Sequence, residues 1–91
     1  MSRGQRRQAH LLSKVEKVIK VGQEYTSHSI VMKMKEHGMS NVPTARRLGF
    51  YLAKAPVFQN RFTRLAVNGA VRVDGDNRAR YLCVEPKEDR A

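Results

Sequence analysis

Residues 42–58 read VPTARRLGFYLAKAPVF, and this stretch decides how the chain folds. Pro43 fixes the backbone just ahead of the segment, and Thr44 is a residue type that caps helix N-termini. The apolar side chains that follow share one helical face, formed by Ala45, Leu48, Tyr51, Leu52 and Ala55. The opposite face carries Arg46, Arg47, Phe50 and Lys54. The pattern predicts an amphipathic helix with a basic outer face, ended by Pro56.

Gly49 interrupts this helical pattern. A glycine inside a helix costs roughly 1 kcal/mol relative to alanine. We therefore expect Gly49 to allow close packing against a neighbouring helix.

Two further helices are predicted upstream. The first spans residues 9–21 and ends at Gly22, since its apolar residues recur at helical spacing at Leu11, Leu12, Val15, Val18 and Ile19. A short extended segment at residues 24–26 follows. The second helix covers about 27–37, with Thr26 or Ser27 as its N-cap and Gly38 at its end. Its apolar stripe consists of Ile30, Val31 and Met34.

Beyond residue 58 the pattern favours β-structure. Asn68-Gly69 lies between two β-compatible runs, which is a strong signal for a hairpin turn. A second turn is predicted at residues 74–77, ahead of the strand-forming run ARYLCV at residues 79–84. An alternative makes residues 59–67 helical, with Asn68-Gly69 as the C-cap. Periodicity does not separate the two, and the strand interpretation is favoured.

The net charge of the chain indicates the class of partner that it binds. At 91 residues the chain forms one domain, and its formal net charge is +10. Residues 1–10 carry +3, residues 11–84 carry +8 and the tail at residues 85–91 carries −1. Such an excess repels itself within a compact fold, so it predicts a polyanionic partner for the folded part of the chain.

Several classes of function lack supporting residues. The sequence has no apolar run long enough to span a membrane and no secretory signal. We therefore expect no membrane partner and no secretion, and an intracellular protein that is cytoplasmic and nucleoid-associated or nuclear. Cys83 is the only cysteine, and its alternation with Tyr81 predicts a small core residue. The three histidines, His10, His28 and His37, lack the spacing of a metal site and are expected at the surface. Catalytic residues, metals and cofactors are therefore not expected.

The order of elements resembles the winged-helix variant of helix-turn-helix DNA-binding proteins. The resemblance runs from about Leu11 to Val84, and its carriers are YTSHSIVMKMKEHG at residues 25–38, residues 42–58 and GAVRVDGDNRARYLCV at residues 69–84. It implies an α+β fold, a winged helix-turn-helix of three helices followed by a small antiparallel β-hairpin or meander, the wing. Residues 1–8 are then a basic flexible N-terminal arm, residues 9–84 the winged-helix domain and residues 85–91 a polar C-terminal tail.

In winged-helix relatives the third helix commonly enters the major groove of DNA. The resemblance therefore implies sequence-dependent binding of double-stranded DNA, as in transcription regulation, through Thr44, Arg46, Arg47, Phe50 and Lys54. An arginine can bond guanine, and a phenylalanine can meet a thymine methyl. The wing residues Arg72, Asn77, Arg78 and Arg80 would contact the DNA backbone or minor groove. Arg3, Arg6 and Arg7 of the arm would follow phosphates.

Other interpretations stay open at this point. The basic face of the third helix can be an ordinary solvated surface, and the wing charges can protect a strand edge. The chain can be an RNA-bound structural protein, as in a ribosome, or a winged helix that binds an acidic protein. Arg61 and Arg64 matter mainly if residues 59–67 are helical, when they join a presented face. A homodimer through the first helix is a further expectation from the class.

Overall fold

The computed structural model describes residues 3–68, 70–71, 73 and 78–85, which form an α+β arrangement of helices and two small antiparallel sheets. The described helices are α1 (Arg3–Glu16), α2 (Ser27–Glu36), α3 (Ala45–Lys54) and α4 (Pro56–Gln59). The described strands are β1 (Glu24–Tyr25), β2 (Phe62–Arg64), β3 (Ala66–Val67), β4 (Ala70–Val71) and β5 (Tyr81–Cys83).

Both ends of α2 follow from its sequence. Thr26 is the N-cap: its hydroxyl accepts from the Ser29 N–H at 3.0 Å, and the Thr26 N–H donates to Ser29 Oγ at 2.9 Å. At the other end, Gly38 adopts φ +79°, a conformation that glycine reaches without strain. The Met39 N–H then donates to the Met34 carbonyl at 3.2 Å, which closes the last turn. The prediction for this helix is confirmed.

The glycine in α3 faces α2, as its position predicted. A Cβ built on Gly49 would lie 3.4 Å from Ser27 Oγ and 3.6 Å from Ser27 Cβ. These distances are ordinary van der Waals contacts, so the site holds a methyl group without a clash. Gly49 therefore faces the first turn of α2, but the separation of the two helices leaves room for an alanine and does not require glycine.

We expect Gly49→Ala to raise the free energy of unfolding by up to about 1 kcal/mol, the helix-propensity difference between glycine and alanine. The reverse change in the same helix, Ala53→Gly, should lower it by a similar amount. Urea unfolding followed by circular dichroism measures both. A clear loss of stability in Gly49→Ala would mean that α2 and α3 lie closer together than described.

The start of α1 corrects the sequence prediction. Residues 1–8 were expected to be a flexible arm, but the helix begins at Arg3 and is continuous with the segment predicted over residues 9–21. Gln5, Arg6, Arg7 and Gln8 are good helix formers, so they extend a helix that the core-facing leucines already anchor. The arginines of the predicted arm therefore project from a helix.

The end of α1 also differs from the prediction, because the helix stops at Glu16 rather than near Val21. Beyond Glu16 the chain turns to meet the sheet. The Gly22 N–H donates to the Cys83 carbonyl at 2.8 Å, and the Cys83 N–H donates to the Gln23 carbonyl at 2.9 Å. A helix continued to Val21 would carry these groups away from β5, so tertiary pairing overrides the helical periodicity.

Pro56 begins a short helix rather than only ending α3. The predicted count of three helices is therefore wrong, since α4 follows α3 after the single residue Ala55. Proline is favoured at the first position of a helix because an N–H there has no acceptor within the helix, so its absence costs nothing. The Phe58 N–H donates to the Ala55 carbonyl at 3.1 Å, and this turn buries Phe58 completely.

The larger sheet has the order β1-β5-β2, with all strands antiparallel. Tyr25 pairs with Tyr81 on one side of β5, and Thr63 pairs with Leu82 on the other. The last strand thus lies between the first two. Together with the helix order, this arrangement is compatible with a winged-helix-like fold.

The strand interpretation of residues 59–67 is confirmed from Phe62 onward, while Gln59 belongs to α4. The predicted hairpin is also present: Ala66 pairs with Val71, and Val67 with Ala70. Asn68 adopts φ +53°, the left-handed conformation that the first position of a type I′ turn requires.

Other parts of the prediction fall on residues that are not described. Gly69, the turn predicted at residues 74–77 and the tail after Glu85 lie outside the described residues. A single bridge between Val73 and Ala79 flanks that predicted turn. Whether these residues form the turn and tail stays a prediction.

One hydrophobic core joins the helices to the larger sheet. Its buried side chains are Val15, Ile19, Tyr25, Ile30, Val31, Met34, Leu48, Leu52, Ala55, Phe58, Phe62, Tyr81 and Cys83. The core contains the buried faces predicted for α2 and α3, and it places Cys83 at 0% exposure. The opposite face of α3 is left to solvent.

Candidate nucleic-acid interface

The start of α3 is fixed by Thr44. Its hydroxyl accepts a hydrogen bond from the Arg47 N–H at 3.1 Å, and its backbone is extended, as an N-cap requires. Thr44 itself is exposed. The cap therefore sets the first turn of α3 at the surface, where Arg46 and Arg47 begin the basic face.

The two faces of α3 are separated as the sequence predicted. Leu48 and Leu52 are buried, whereas Phe50 is 61% exposed. We define the α3 outer face as the exposed side chains of this helix and its cap, which are Thr44, Arg46, Arg47, Phe50 and Lys54. The Phe50 ring meets Tyr51 edge-on, with centroids 6.2 Å apart. The outer face thus combines three cations with one apolar ring.

The cations of the α3 outer face are not neutralised within the described residues. Arg46, Arg47 and Lys54 have no side-chain hydrogen bond or ion pair there. All three side chains are exposed, so their positive charges are available to an external anion. A surface that served only solubility would mix both signs of charge.

The acids near the core are used elsewhere. Glu16 on α1 accepts from Arg61 Nη1, and Glu24 on β1 accepts from Arg80 Nε at 3.2 Å. Glu36, on α2, is the only other acid between residues 3 and 68. The carboxylates that could offset the basic surface are therefore few, and two of them are already paired.

Arg61 has a structural role that sequence analysis missed. Its side chain is only 13% exposed, and its Nε donates to the Val84 carbonyl at 2.9 Å. Since Arg61 ties the end of α1 to the end of β5, it is not part of a presented face. Its partner Glu16 lies 45 positions away in the sequence, and no local pattern announces such a pair.

The same arginine approaches the single thiol. Arg61 Nη2 donates to Cys83 Sγ at 3.9 Å. Burial raises the pKa of the Cys83 thiol above its ordinary value, and the nearby positive charge of Arg61 offsets part of that rise. The thiol therefore stays neutral at physiological pH, as suits the small core residue that the sequence predicted.

The structure gives the predicted wing residues different environments. Arg80 is partly buried in its ion pair with Glu24, so the carboxylate offsets much of its positive charge. Arg78 is partly buried next to the Val73–Ala79 bridge. Arg72 and Asn77 lie outside the described residues. The wing assignment of these four residues stays a prediction.

The arginines expected in the arm, Arg3, Arg6 and Arg7, are exposed on α1. Of these, Arg7 lies beside α3, because it lines the same open groove as Arg47 and Tyr51. Lys14 lines that groove as well, and its Nζ donates to the Ser40 carbonyl at 3.4 Å. The fold thus brings together basic residues that the sequence placed in separate parts of the protein.

The predicted surface position of His10, His28 and His37 is confirmed, since all three are exposed. Within the described ranges, no group of three histidine, cysteine or acidic side chains is arranged to hold a metal ion. The same ranges contain no helix with the length and apolar character needed to cross a membrane.

Comparison with protein-family models, with curated proteins and with solved structures finds no match to this chain. Its chemistry must therefore be inferred from its own residues, and their dominant feature is the set of cations on the α3 outer face that have no partner among the described residues.

Proposed function

We propose that this chain is a winged-helix protein that binds double-stranded DNA in a sequence-dependent manner, as a transcriptional regulator does. The observation that carries the proposal is the α3 outer face, where Arg46, Arg47 and Lys54 have no partner within the described residues while the acids nearby are paired or sparse. A cationic helix face on a protein of net charge +10 is suited to a polyphosphate.

The dimensions of α3 suit the major groove of a duplex. A helix of ten residues is about 15 Å long and, with side chains, about 10–12 Å across, while the groove is about 12 Å wide. Arg46 and Arg47 are in the first turn of α3, where side chains of a docked helix reach base edges. Each can donate two hydrogen bonds to guanine, and Phe50 offers an apolar contact for a thymine methyl.

The hairpin of β3 and β4 is the proposed wing. It follows α3 and α4 closely in the chain, and Arg64 on β2 is exposed near its base. We propose that Arg64, Arg78 and the undescribed Arg72 and Asn77 contact the DNA backbone. Arg80 is left out of this set because it is engaged with Glu24.

The aromatic residues argue against recognition of single strands. Such recognition stacks bases on exposed aromatic rings. Here Tyr25, Phe58 and Phe62 are buried at 5%, 0% and 3% exposure, as the sequence suggested. Among the described residues, Phe50 is the one aromatic side chain with more than half of its surface exposed. A single ring is a poor platform for a run of bases.

A competition measurement tests the proposal. The full chain is titrated into a labelled duplex, a hairpin RNA of the same sequence and the separate single strands, at about 50 mM and about 200 mM salt. Duplex DNA should bind most tightly. If five or six phosphates are neutralised, log affinity against log salt should have a slope of roughly −5.

Sequence dependence is measured in the same format by selection from a pool of random duplexes. Enrichment of related sequences is expected. Equal or tighter binding of the RNA hairpin would assign the surface to structured RNA, and the absence of nucleic-acid binding at low salt would overturn the proposal.

A further inference from the structure

An open groove of about 680 Å³ separates α1 from α3 and from the connection that precedes α3. We call it the α1–α3 groove, and its polar lining includes Arg7, His10, Lys14, Arg47 and Tyr51. These residues come from two helices that are distant in the sequence. The groove exists because α1 packs on the core through its apolar face while its basic residues line the opening.

Four residues of α1 that are basic or carry an imidazole lie in a single stripe. Arg3, Arg7, His10 and Lys14 are separated by four, three and four residues, so they follow one face of the helix over its whole length. We call this set the α1 stripe. Arg6 borders the stripe, three residues from Arg3 and four from His10, but it lies about 100° around the helix from Arg7 and does not line the groove. The stripe therefore presents a row of cationic and hydrogen-bonding groups about 16 Å long to one side.

The groove has positive charge on both walls. Arg7 and Lys14 lie on the α1 side and Arg47 on the α3 side, and the residues that line the groove include no carboxylate. Lys14 uses one donor on the Ser40 carbonyl, which holds the connection against α1 and leaves further N–H groups on its ammonium. Like charges that converge on a concave surface strengthen the local potential for an anion.

Two residues join this groove to the α3 outer face. Arg47 and Tyr51 line the α1–α3 groove and also a shallow depression that contains Thr44, Arg46 and Phe50. Tyr51 is held in place by stacking on buried Phe58, with ring centroids 5.7 Å apart. The basic surface is therefore continuous from α1 to Phe50, and a rigid ring lies at its centre.

We propose that the α1–α3 groove binds a phosphodiester segment of the same duplex whose major groove α3 enters. Arg7, His10 and Lys14 contact consecutive phosphates along one strand, and Arg47 stands between this backbone contact and the bases. This inference rests on the proposed function, because the occupant of the groove is the backbone of the bound duplex. It gives α1 a role on DNA in place of the dimer interface expected from the sequence.

The matched pair Arg7→Ala and Arg6→Ala tests the inference. Both remove one arginine from the first two turns of α1, but only Arg7 lines the groove. One lost phosphate contact should make the salt slope shallower by about 1 and lower affinity at about 0.1 M salt roughly tenfold, equally for all duplex sequences. Arg6→Ala should leave the slope nearly unchanged. Circular dichroism checks that both variants keep their helix content.

Each outcome has a distinct meaning. Equal slope changes in the two variants, or none in Arg7→Ala, would overturn the groove assignment while wild-type duplex binding still supports the proposed function. Failure of the wild-type chain to bind duplex would overturn the proposed function itself. Amide chemical shifts give a second measurement without mutation, since binding should move the signals of residues 7–14 together with those of α3. Shifts confined to α3 would exclude the groove.

Discussion

Phe58→Ala should lower the free energy of unfolding by about 3–5 kcal/mol, which is the usual cost of truncating a fully buried phenylalanine to alanine. Phe58 is 0% exposed and lies in α4, which packs against both α1 and α3. Its ring also stacks on Tyr51. At about 0.05–0.15 kcal/mol per residue, a domain of this size has roughly 5–14 kcal/mol in total, so one substitution removes a large share.

Urea unfolding followed by circular dichroism measures this loss, and Phe50→Ala is the matched control. Phe50 undergoes the same chemical change at a position that is 61% exposed, so its cost should stay below about 1 kcal/mol. The loss of unfolding free energy in Phe58→Leu should fall between those of the two alanine variants, because leucine fills part of the cavity. Similar losses at both phenylalanines would show that α4 does not hold Phe58 in the core.

The elements that sequence analysis placed correctly have local determinants. α2 and α3 each combine a helical stripe of apolar residues with an N-cap threonine, and Gly38 closes α2. The hairpin depends on Asn68-Gly69, whose conformational preference is intrinsic to those two residues. Signals of this kind act within a few positions, so the elements that depend on them can be predicted from a single sequence.

The errors in the predicted fold arise where distant contacts decide. Periodicity alone extends α1 to Val21, but pairing of Gly22 and Gln23 with Cys83 ends the helix at Glu16. Pro56 fits both the end of one helix and the start of another. The burial of Phe58 against α1 and α3 selects the second role, and that burial is not visible in the local sequence.

The candidate site divides in the same way. The α3 outer face follows from the period of one helix and was predicted in full, including Phe50. The α1–α3 groove requires the relative placement of two helices, so His10, Lys14 and Tyr51 were not assigned to it. The spacing of the α1 residues does indicate a shared face. Once the helix is known to begin at Arg3, Arg3, Arg7, His10 and Lys14 form a helical stripe.

Replacement of both Arg46 and Arg47 by alanine should remove most of the sequence preference of the protein. Each bidentate arginine contact discriminates by about 1–3 kcal/mol, so the pair is worth about 2–6 kcal/mol on the preferred duplex if the contacts are independent. Affinity for that duplex should fall by at least roughly thirtyfold, whereas affinity for a scrambled duplex should fall only through the lost charge. The double variant should fold normally, since both side chains are exposed.

The control is the double variant Lys33→Ala/Lys35→Ala, which removes the same charge from exposed positions on α2. Neither lysine lies on the α3 outer face or lines the α1–α3 groove. This control should weaken both duplexes modestly and alike, so the ratio of their affinities, measured by anisotropy at one salt concentration, should stay near the wild-type value. If the α2 variant loses that ratio as much as the α3 variant does, net charge alone governs binding. A ratio preserved in the α3 variant would mean that α3 does not read the bases, whatever its affinity for the backbone.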